Sequence, residues 1–455
     1  MLARPLLSSQ RSEEKSWFEK VLARTTRKQQ IAAIVVLAGV SVLFLSSIIF
    51  LISRATTRLG YASSNAILSV DKMTYTHDNA PYFNESVPAY RARLTEQFRH
   101  VRKGTIFVSI ASYRDNACVL TLREMFDKAV SPKRVFVGLV DQTKLAAEDS
   151  DDVPCESMLT GEERQRVRLV RIPSNMARGP THARYMASKL WDGEQYFMQI
   201  DAHSHFMVGW DDQLISNLRQ LPNPSRSAIT HYPPGREDEL GQPDVTWICV
   251  ANDHEQAPAG LFTQGQDVCR QANMSPGIAL SAAGERTTCL SPFMGGGFFA
   301  AESHVLYDAP FDRYLPYIFH GEEVLIAARI WTSGWDMYTP IVNIVSHVYG
   351  GRTKNVHVES QNWVPICRAS EARARHILNS RIDDEVDFDR SEIEHLGVGT
   401  VRPLNDYMKF AGLELMKYKN FTSRCRQRWE PRAGWVDQDT PVVDMGLGGS
   451  LPFDG

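Results

Sequence analysis

Gln199-Ile200-Asp201-Ala202-His203-Ser204-His205-Phe206 is the stretch on which the reading of this chain turns. Tyr196-Phe197-Met198 precedes it, a short apolar and aromatic run of the kind that forms a buried strand, so the polar residues emerge at a strand end. Side chains alternate along a strand, which places Asp201, His203 and His205 on one side and Ala202 and Ser204 on the other. A carboxylate and one or two imidazoles then converge on one point. That mixed oxygen and nitrogen set suits a divalent cation such as Mn2+, which in turn holds a diphosphate. Taken alone, the pattern also describes a polar strand end that meets solvent.

Strand and helix patterns alternate upstream. Thr105-Ile106-Phe107-Val108-Ser109-Ile110 is a β-branched, apolar run that stops at Ala111-Ser112-Tyr113-Arg114-Asp115, and residues 120–130 have helical spacing of apolar side chains. Residues 134–140 form a second strand and lead into an acidic stretch through Asp152. Residues 167–172 alternate as a third strand, and 180–191 read as a helix with a proline in its first turn. The order argues for an α/β fold with an open mixed, mainly parallel sheet flanked by helices, whose ligands sit beyond the carboxyl ends of the strands. Three loops are thereby grouped, at 112–115, 141–142 and 201–205, the last where a nucleotide's phosphates belong.

Downstream, regular signals fade over 223–289, which is too long for a plain connector and reads as a functional insertion. Cys249, Cys269 and Cys289 lie in it, and disulfides among them would tie it, with connectivity left open. Pro292-Phe293-Met294-Gly295-Gly296-Gly297-Phe298-Phe299-Ala300 points to close backbone approach, either to a ligand or to another strand. It lacks the Lys-Ser/Thr of a phosphate-binding P-loop. Gly321-Glu322-Glu323 opens a helix that Gly334 ends, residues 341–345 form a strand that delivers His347, and 370–380 form a further helix.

The whole chain, 455 residues with 43% hydrophobic and 23% charged, has the composition of a globular protein. A net charge of -3 excludes the domain-scale basic excess that nucleic-acid binding needs, so no nucleic-acid partner is expected. Residues 31–53, IAAIVVLAGVSVLFLSSIIFLIS, are uncharged and apolar over the length of a bilayer-spanning helix. Arg24, Arg27 and Lys28 precede the span, which favours a cytoplasmic tail at 1–30 and places everything after it in the secretory pathway. Residues 54–103 then read as a lumenal stem, 104–435 as the catalytic domain and 436–455 as a weakly ordered tail. All seven cysteines follow the span, where disulfides form, and their odd number leaves at least one unpaired or bridged to another chain. Sequons at Asn84, Asn273 and Asn420 fit the same placement.

Four segments together resemble the protein O-linked N-acetylglucosaminyltransferases of the Skp1 hydroxyproline GlcNAc-transferase family, including the trypanosomatid Golgi polypeptide α-GlcNAc-transferases. They are IFVSIASYRD at 106–115, RVFVGLVDQ at 134–142, ARYMASKLWDGEQYFMQIDAHSHFMVGWD at 183–211 and HGEEVLIAARIWTSGWDMYTP at 320–340. A more distant likeness joins the polypeptide GalNAc-transferases. The resemblance implies a GT-A type glycosyltransferase domain that uses Mn2+ and UDP-GlcNAc and transfers the sugar with retention of configuration. It casts Asp201, His203 and His347 as metal ligands and Ser112, Tyr113, Arg114 and Asp115 as the loop that cradles uridine. It sets Arg178 and Arg184 near the nucleotide or sugar, and Glu322, with Glu323 as the nearer substitute, facing the donor sugar. The expectation is a single-pass type II Golgi membrane enzyme that modifies threonine (or hydroxyproline) in a Thr/Ser-rich, mucin-type polypeptide. UDP-GalNAc or UDP-galactose as donor, a non-catalytic sugar-nucleotide-binding protein and a metal-dependent phosphoesterase are the rival readings.

Overall fold

The computed structural model describes residues 74–75, 83–144, 151–252, 263–269, 288–350, 354–380, 386–414, 422–430 and 433–437. The expected tail at 1–30, the span at 31–53, Asn273, Asn420 and residues 438–455 lie outside them. Among the described residues no helix is long and apolar enough to cross a membrane.

The run at 105–110 becomes the middle of β2 (Arg102–Tyr113), an inner strand of the parallel set. It pairs in parallel with β3 (Val135–Thr143) on one side and β5 (Glu194–Asp201) on the other, and β4 (Val167–Pro173) continues the parallel set beyond β3. The short β1 (Thr74–Tyr75) closes that edge antiparallel to β4. Past β5 the sheet turns mixed: β10 (Phe298–Glu302) runs antiparallel to both β5 and β7 (Ser227–Thr230), and β11 (Asp336–Tyr338) lies parallel to β7. Residues 106–110 of β2 are buried without alternation, as a strand covered on both faces requires. Its register sets Ala111 opposite Asp201, Ser112 opposite Asp141 and Tyr113 opposite Gln142, so the three loops grouped from the sequence do share one end of the sheet.

Helix α1 (Val87–Phe98) starts where the Ser86 hydroxyl accepts a hydrogen bond from the Ala89 N–H. Residues from Phe83 onward were expected in the stem, yet they belong to the core of the domain. Tyr90 and Leu94 are fully covered, the Lys189 ammonium lies 3.2 Å from the Tyr90 ring centroid, and the Tyr185 hydroxyl donates to the Phe83 carbonyl at 2.6 Å. The boundary falls early because this helix is mostly polar and its apolar residues are few. Helices α2 (Cys118–Asp127) and α3 (Pro180–Ser188) follow β2 and β4, and α3 packs on both β2 and β3. Helix α4 (Trp210–Gln220) follows β6 (Ser204–Phe206).

Three expectations about the second half change. The stretch at 223–289 is not wholly an insertion, because residues 227–230 are β7, fully buried in the main sheet. Four residues with one large apolar side chain give too little pattern to announce a strand; pairing with β10 decides it. The hairpin β8 (Thr246–Asn252) and β9 (Thr263–Val268) forms the rest of what is described there. The strand expected at 341–345 is instead β12 (Val345–His347), which contains His347. Residue Asn343 cannot join it, since its N–H donates to Gln242, its carbonyl accepts from Gly241 and its side chain donates to Glu239 and Asp244.

Helix α5 (Glu322–Thr332) matches its expected bounds, whereas α6 (Trp363–Ile377) starts ahead of the expected Ser370. Helix α7 (Leu404–Ala411) supports the hairpin β13 (Gln427–Glu430) and β14 (Gly434–Asp437), with Phe410 stacked on Trp435. The disulfides are Cys118–Cys155, Cys249–Cys425 and Cys269–Cys289, leaving Cys367 as a buried thiol. Only one pair therefore joins two cysteines of the 223–289 stretch, and Cys249 instead ties it to the segment just before the C-terminal hairpin.

Candidate active site

Asp201 is the last residue of β5, and the chain turns through Ala202 and His203 before β6. That short strand pairs antiparallel with β12, setting Ser204 opposite His347, and the Val348 N–H donates to the His203 carbonyl at 3.0 Å. Backbone pairing thus carries His347 across 146 residues of chain to the strand end of Asp201. His347 Nε2 lies 3.1 Å from Asp201 Oδ2 and 2.9 Å from His203 Nε2. His205 does not join them. The turn at Ala202-His203 breaks the alternation, and the His205 ring faces Glu124, with Nδ1 2.9 Å from Oε1.

The donor set fits a divalent cation. Asp115 Oδ2 lies 2.7 Å from His203 Nδ1, which holds the ring proton there and leaves the Nε2 lone pair aimed at His347. Two imidazole nitrogens 2.9 Å apart share at most one proton, and buried His347 Nδ1 has no hydrogen-bond partner among the described residues. A proton on that Nδ1 leaves two imidazole lone pairs and one carboxylate oxygen, all within 4.8 Å of one another. Burial works against the Asp201 charge, but the His347 hydrogen bond and the Arg184 charge outweigh it and hold its carboxyl well below the usual carboxylate range.

Arg184, on α3 and 6% exposed, joins this cluster to a second carboxylate. Its Nη2 donates to Asp201 Oδ1 at 2.9 Å and its Nη1 to Glu322 Oε1 at 2.5 Å. The Thr181 hydroxyl, one turn earlier on α3, donates to Glu322 Oε2 at 2.6 Å. Gly321, at φ +86°, turns the chain into α5 so that Glu322 and Glu323 occupy its first turn. The triple glycine lies against them: a Cβ on Gly295 would come within 2.5 Å of the His231 carbonyl oxygen, and one on Gly296 within 3.1 Å of the Arg184 guanidinium. The close approach is thus to protein groups, the backbone just beyond β7 at Gly295 and the Arg184 guanidinium at Gly296.

Asp201, His203, His347, Arg184, Glu322, Glu323 and Gly296 line one cavity of about 670 Å³, together with Tyr113, Asp115, Gln142 and Tyr232. The remaining predicted residues sit differently. Ser112 is fully buried beneath it, its carbonyl accepting from the Gln142 side chain at 2.9 Å. Arg114, at φ +49°, donates through Nε to Asp152 and through Nη1 to Glu359 at 2.5 Å, bracing the loop rather than facing inward. Arg178 is not among the lining residues; its carbonyl accepts from the Tyr317 N–H. Thr181, Tyr232 and Gln142 were not singled out as site side chains, and of these only Gln142 lay in a loop that strand order had grouped.

Glu323 is held differently from Glu322. Its two oxygens accept from the Tyr232 hydroxyl and the Gly296 N–H, each at 2.6 Å. Burial, opposed by those two donors and aided by the neighbouring Glu322, pushes its carboxyl up to about 7. A folded value above the unfolded one means stability fully present below pH 4.5 and lost as pH rises through 7. Glu323→Gln should therefore lack this loss: relative to wild type it should gain roughly 2–3 kcal/mol on going from pH 4.5 to pH 8. Urea unfolding at the two pH values checks it, and parallel curves for the two proteins would refute the assignment.

The model of the glycosyltransferase (GlcNAc) family matches residues 105–163 and 147–417, well over half of the chain. No curated protein sequence matches it. Among solved structures the chain is similar to GalNAc-T7 with UDP, GalNAc and Mn2+, at 16% identity and a TM-score of 0.45 over 67% of this chain and 56% of that one. It is also similar to S. aureus TarS 1-349 with UDP-GlcNAc, at 11% identity and 0.34 over 62% and 68%. The mannosyltransferase PcManGT of Pyrobaculum calidifontis with GDP-Man and Mn2+ gives 14% and 0.33 over 66% and 73%. The chain thus spans little more than half the length of the first of these structures.

Proposed function

The chain belongs to the glycosyltransferase (GlcNAc) family, and from that premise we propose that it transfers GlcNAc from UDP-GlcNAc to the hydroxyl of threonine in a polypeptide, with retention and with Mn2+. The observation that carries this reading is the junction of Asp201, His203 and His347 with Arg184 and Glu322 in one cavity. The first three residues would hold the cation, which supplies positive charge where the departing diphosphate becomes negative.

The chain's own residues do the rest. Arg184 keeps Asp201 Oδ2 turned toward the histidines by occupying Oδ1, and Asp115 keeps the His203 Nε2 lone pair free of its proton. Glu322 is fixed by Thr181 and Arg184 and offers its remaining lone pairs to sugar hydroxyls. Transfer breaks the bond from the anomeric carbon to diphosphate and forms one to the acceptor oxygen on the same face, and the acceptor proton leaves on the phosphate. No protein nucleophile is needed, which suits a Glu322 already engaged at both oxygens. Placement in the Golgi behind a single-pass type II anchor at 31–53 remains part of the proposal, supported by the lumen-compatible disulfides.

The test mixes the full chain with Mn2+, a threonine-rich peptide and a panel of UDP-sugars and reads the mass of the peptide. A GlcNAc-sized gain that chelation removes is the expected result. A gain only from UDP-GalNAc or UDP-galactose would replace the donor, and donor binding without any transfer to a range of peptides would overturn the reading.

A further inference from the structure

Gly296 and Gly297 wall the cavity with bare backbone, and side chains from three elements hold that backbone in place. At the end of β7 the Thr230 hydroxyl accepts from the Gly295 N–H at 2.8 Å and donates to the Phe298 carbonyl at 2.9 Å, which closes the turn. From β5 the Gln199 side chain donates to the Gly296 carbonyl at 2.7 Å. The Gly296 N–H donates to Glu323 Oε1 on α5, and the Tyr232 hydroxyl, two residues past β7, donates to Oε2 of the same carboxylate, each at 2.6 Å. Both backbone polar groups of Gly296 are thus occupied by the protein itself.

What this wall borders gives the wiring its meaning. A Cβ on Gly296 would lie 3.3 Å from Glu322 Oε1, and one on Gly297 would lie 3.5 Å from Asp201 Oδ2 and 3.6 Å from the His347 ring. Two residues of backbone therefore run from the carboxylate assigned to the sugar to the ligands assigned to the cation. A donor with its diphosphate on that cation and its sugar at Glu322 lays the sugar along this backbone. UDP alone lacks the part that reaches it. The first turn of α5 accordingly divides its work, with Glu322 tied to Thr181 and Arg184 on α3 and Glu323 tied to the wall.

Resting on the transfer reading above, we propose that Tyr232 and Glu323 are positioning residues for the donor sugar, a strut that fixes the Gly296-Gly297 backbone against Glu322. They act through the wall, so they bear on the affinity for the sugar-carrying donor and not on that for UDP or Mn2+. The role needs hydrogen bonds and no charge, because both donors to Glu323 are neutral. A glutamine preserves them, its amide oxygen accepting from Gly296 and its amide N–H donating to the Tyr232 oxygen.

The experiment measures, by calorimetry with Mn2+ present, the binding of UDP and of UDP-GlcNAc, or of whichever UDP-sugar the peptide assay selects, to the full chain. Wild type, Glu323→Ala, Glu323→Gln and Tyr232→Phe are compared. Glu323→Ala should weaken the UDP-sugar about tenfold and leave UDP within about twofold, Tyr232→Phe should act in the same sense at about threefold, and Glu323→Gln should recover most of the loss. Tyr232→Phe removes a single oxygen and so reads the strut even where Glu323→Ala fails to fold. Equal weakening of UDP and the UDP-sugar would mean general loosening, and a Glu323→Gln as weak as Glu323→Ala would mean a charge acting on the donor directly. Either result, or unchanged UDP-sugar affinity in both Glu323→Ala and Tyr232→Phe, would overturn the strut while leaving the transfer reading in place. A wild type that binds neither UDP nor any UDP-sugar would sink the transfer reading and this inference with it.

Discussion

Asp201→Asn combined with His347→Ala should remove tight Mn2+ binding and lower sugar transfer by at least ~10³-fold, on the scale that charge stabilisation of a developing anion contributes. Of the three ligand atoms within 4.8 Å, that of His203 would remain beside a neutral amide oxygen at 201. Calorimetric titration with Mn2+ alone reads the site without relying on turnover, and the expected result is no saturable binding in a protein whose circular dichroism is unchanged. Retained Mn2+ affinity would remove the metal assignment. His203→Ala should do less harm, since Asp201 and His347 still meet at 3.1 Å. Asp115→Ala, which frees the Nδ1 proton of His203, should weaken Mn2+ binding about 10–100-fold without deleting any ligand.

Arg184→Met should have the largest effect on stability. One guanidinium, 6% exposed, neutralises Asp201 and Glu322 together, and its loss leaves two carboxylates facing the same space. Breaking a buried pair in this way costs about 3–5 kcal/mol, because the partner left behind stays desolvated. Arg184→Lys should recover little, since a single ammonium lacks the planar fork that reaches two carboxylates at once. A second substitution, Glu322→Gln, placed on Arg184→Met should restore part of the loss by removing one uncompensated charge. Urea unfolding of the four proteins measures this coupling, and additive effects at the two positions would refute the bridge.

What the sequence displayed well was whatever had local periodicity. The buried run of β2, the helix of Glu322 and the emergence of Asp201 from a strand each need only a dozen residues to be seen. Short elements were the ones misread, β7 and β12 among them, because a strand of three or four residues is chosen by its neighbour. His205 was miscounted for a related reason. Alternation holds only while the strand continues, and here it stops at Asp201.

The sequence by itself therefore determined the α/β order, the strand ends that gather the site and the residue types able to hold a cation, since hydrophobic period and strand alternation are properties of neighbouring residues. Only the tertiary structure decided that His347 meets Asp201, that Arg184 binds two carboxylates and that Tyr232 and Gly296 hold Glu323. It also decided that Cys249 pairs with Cys425 across a sequence separation of 176 residues. Each of these contacts joins residues whose separation along the chain carries no local signal. They exist because β12 pairs with β6 and α3 and α5 pack at one end of the sheet, where burial makes every unpaired charge costly and so leaves few arrangements stable.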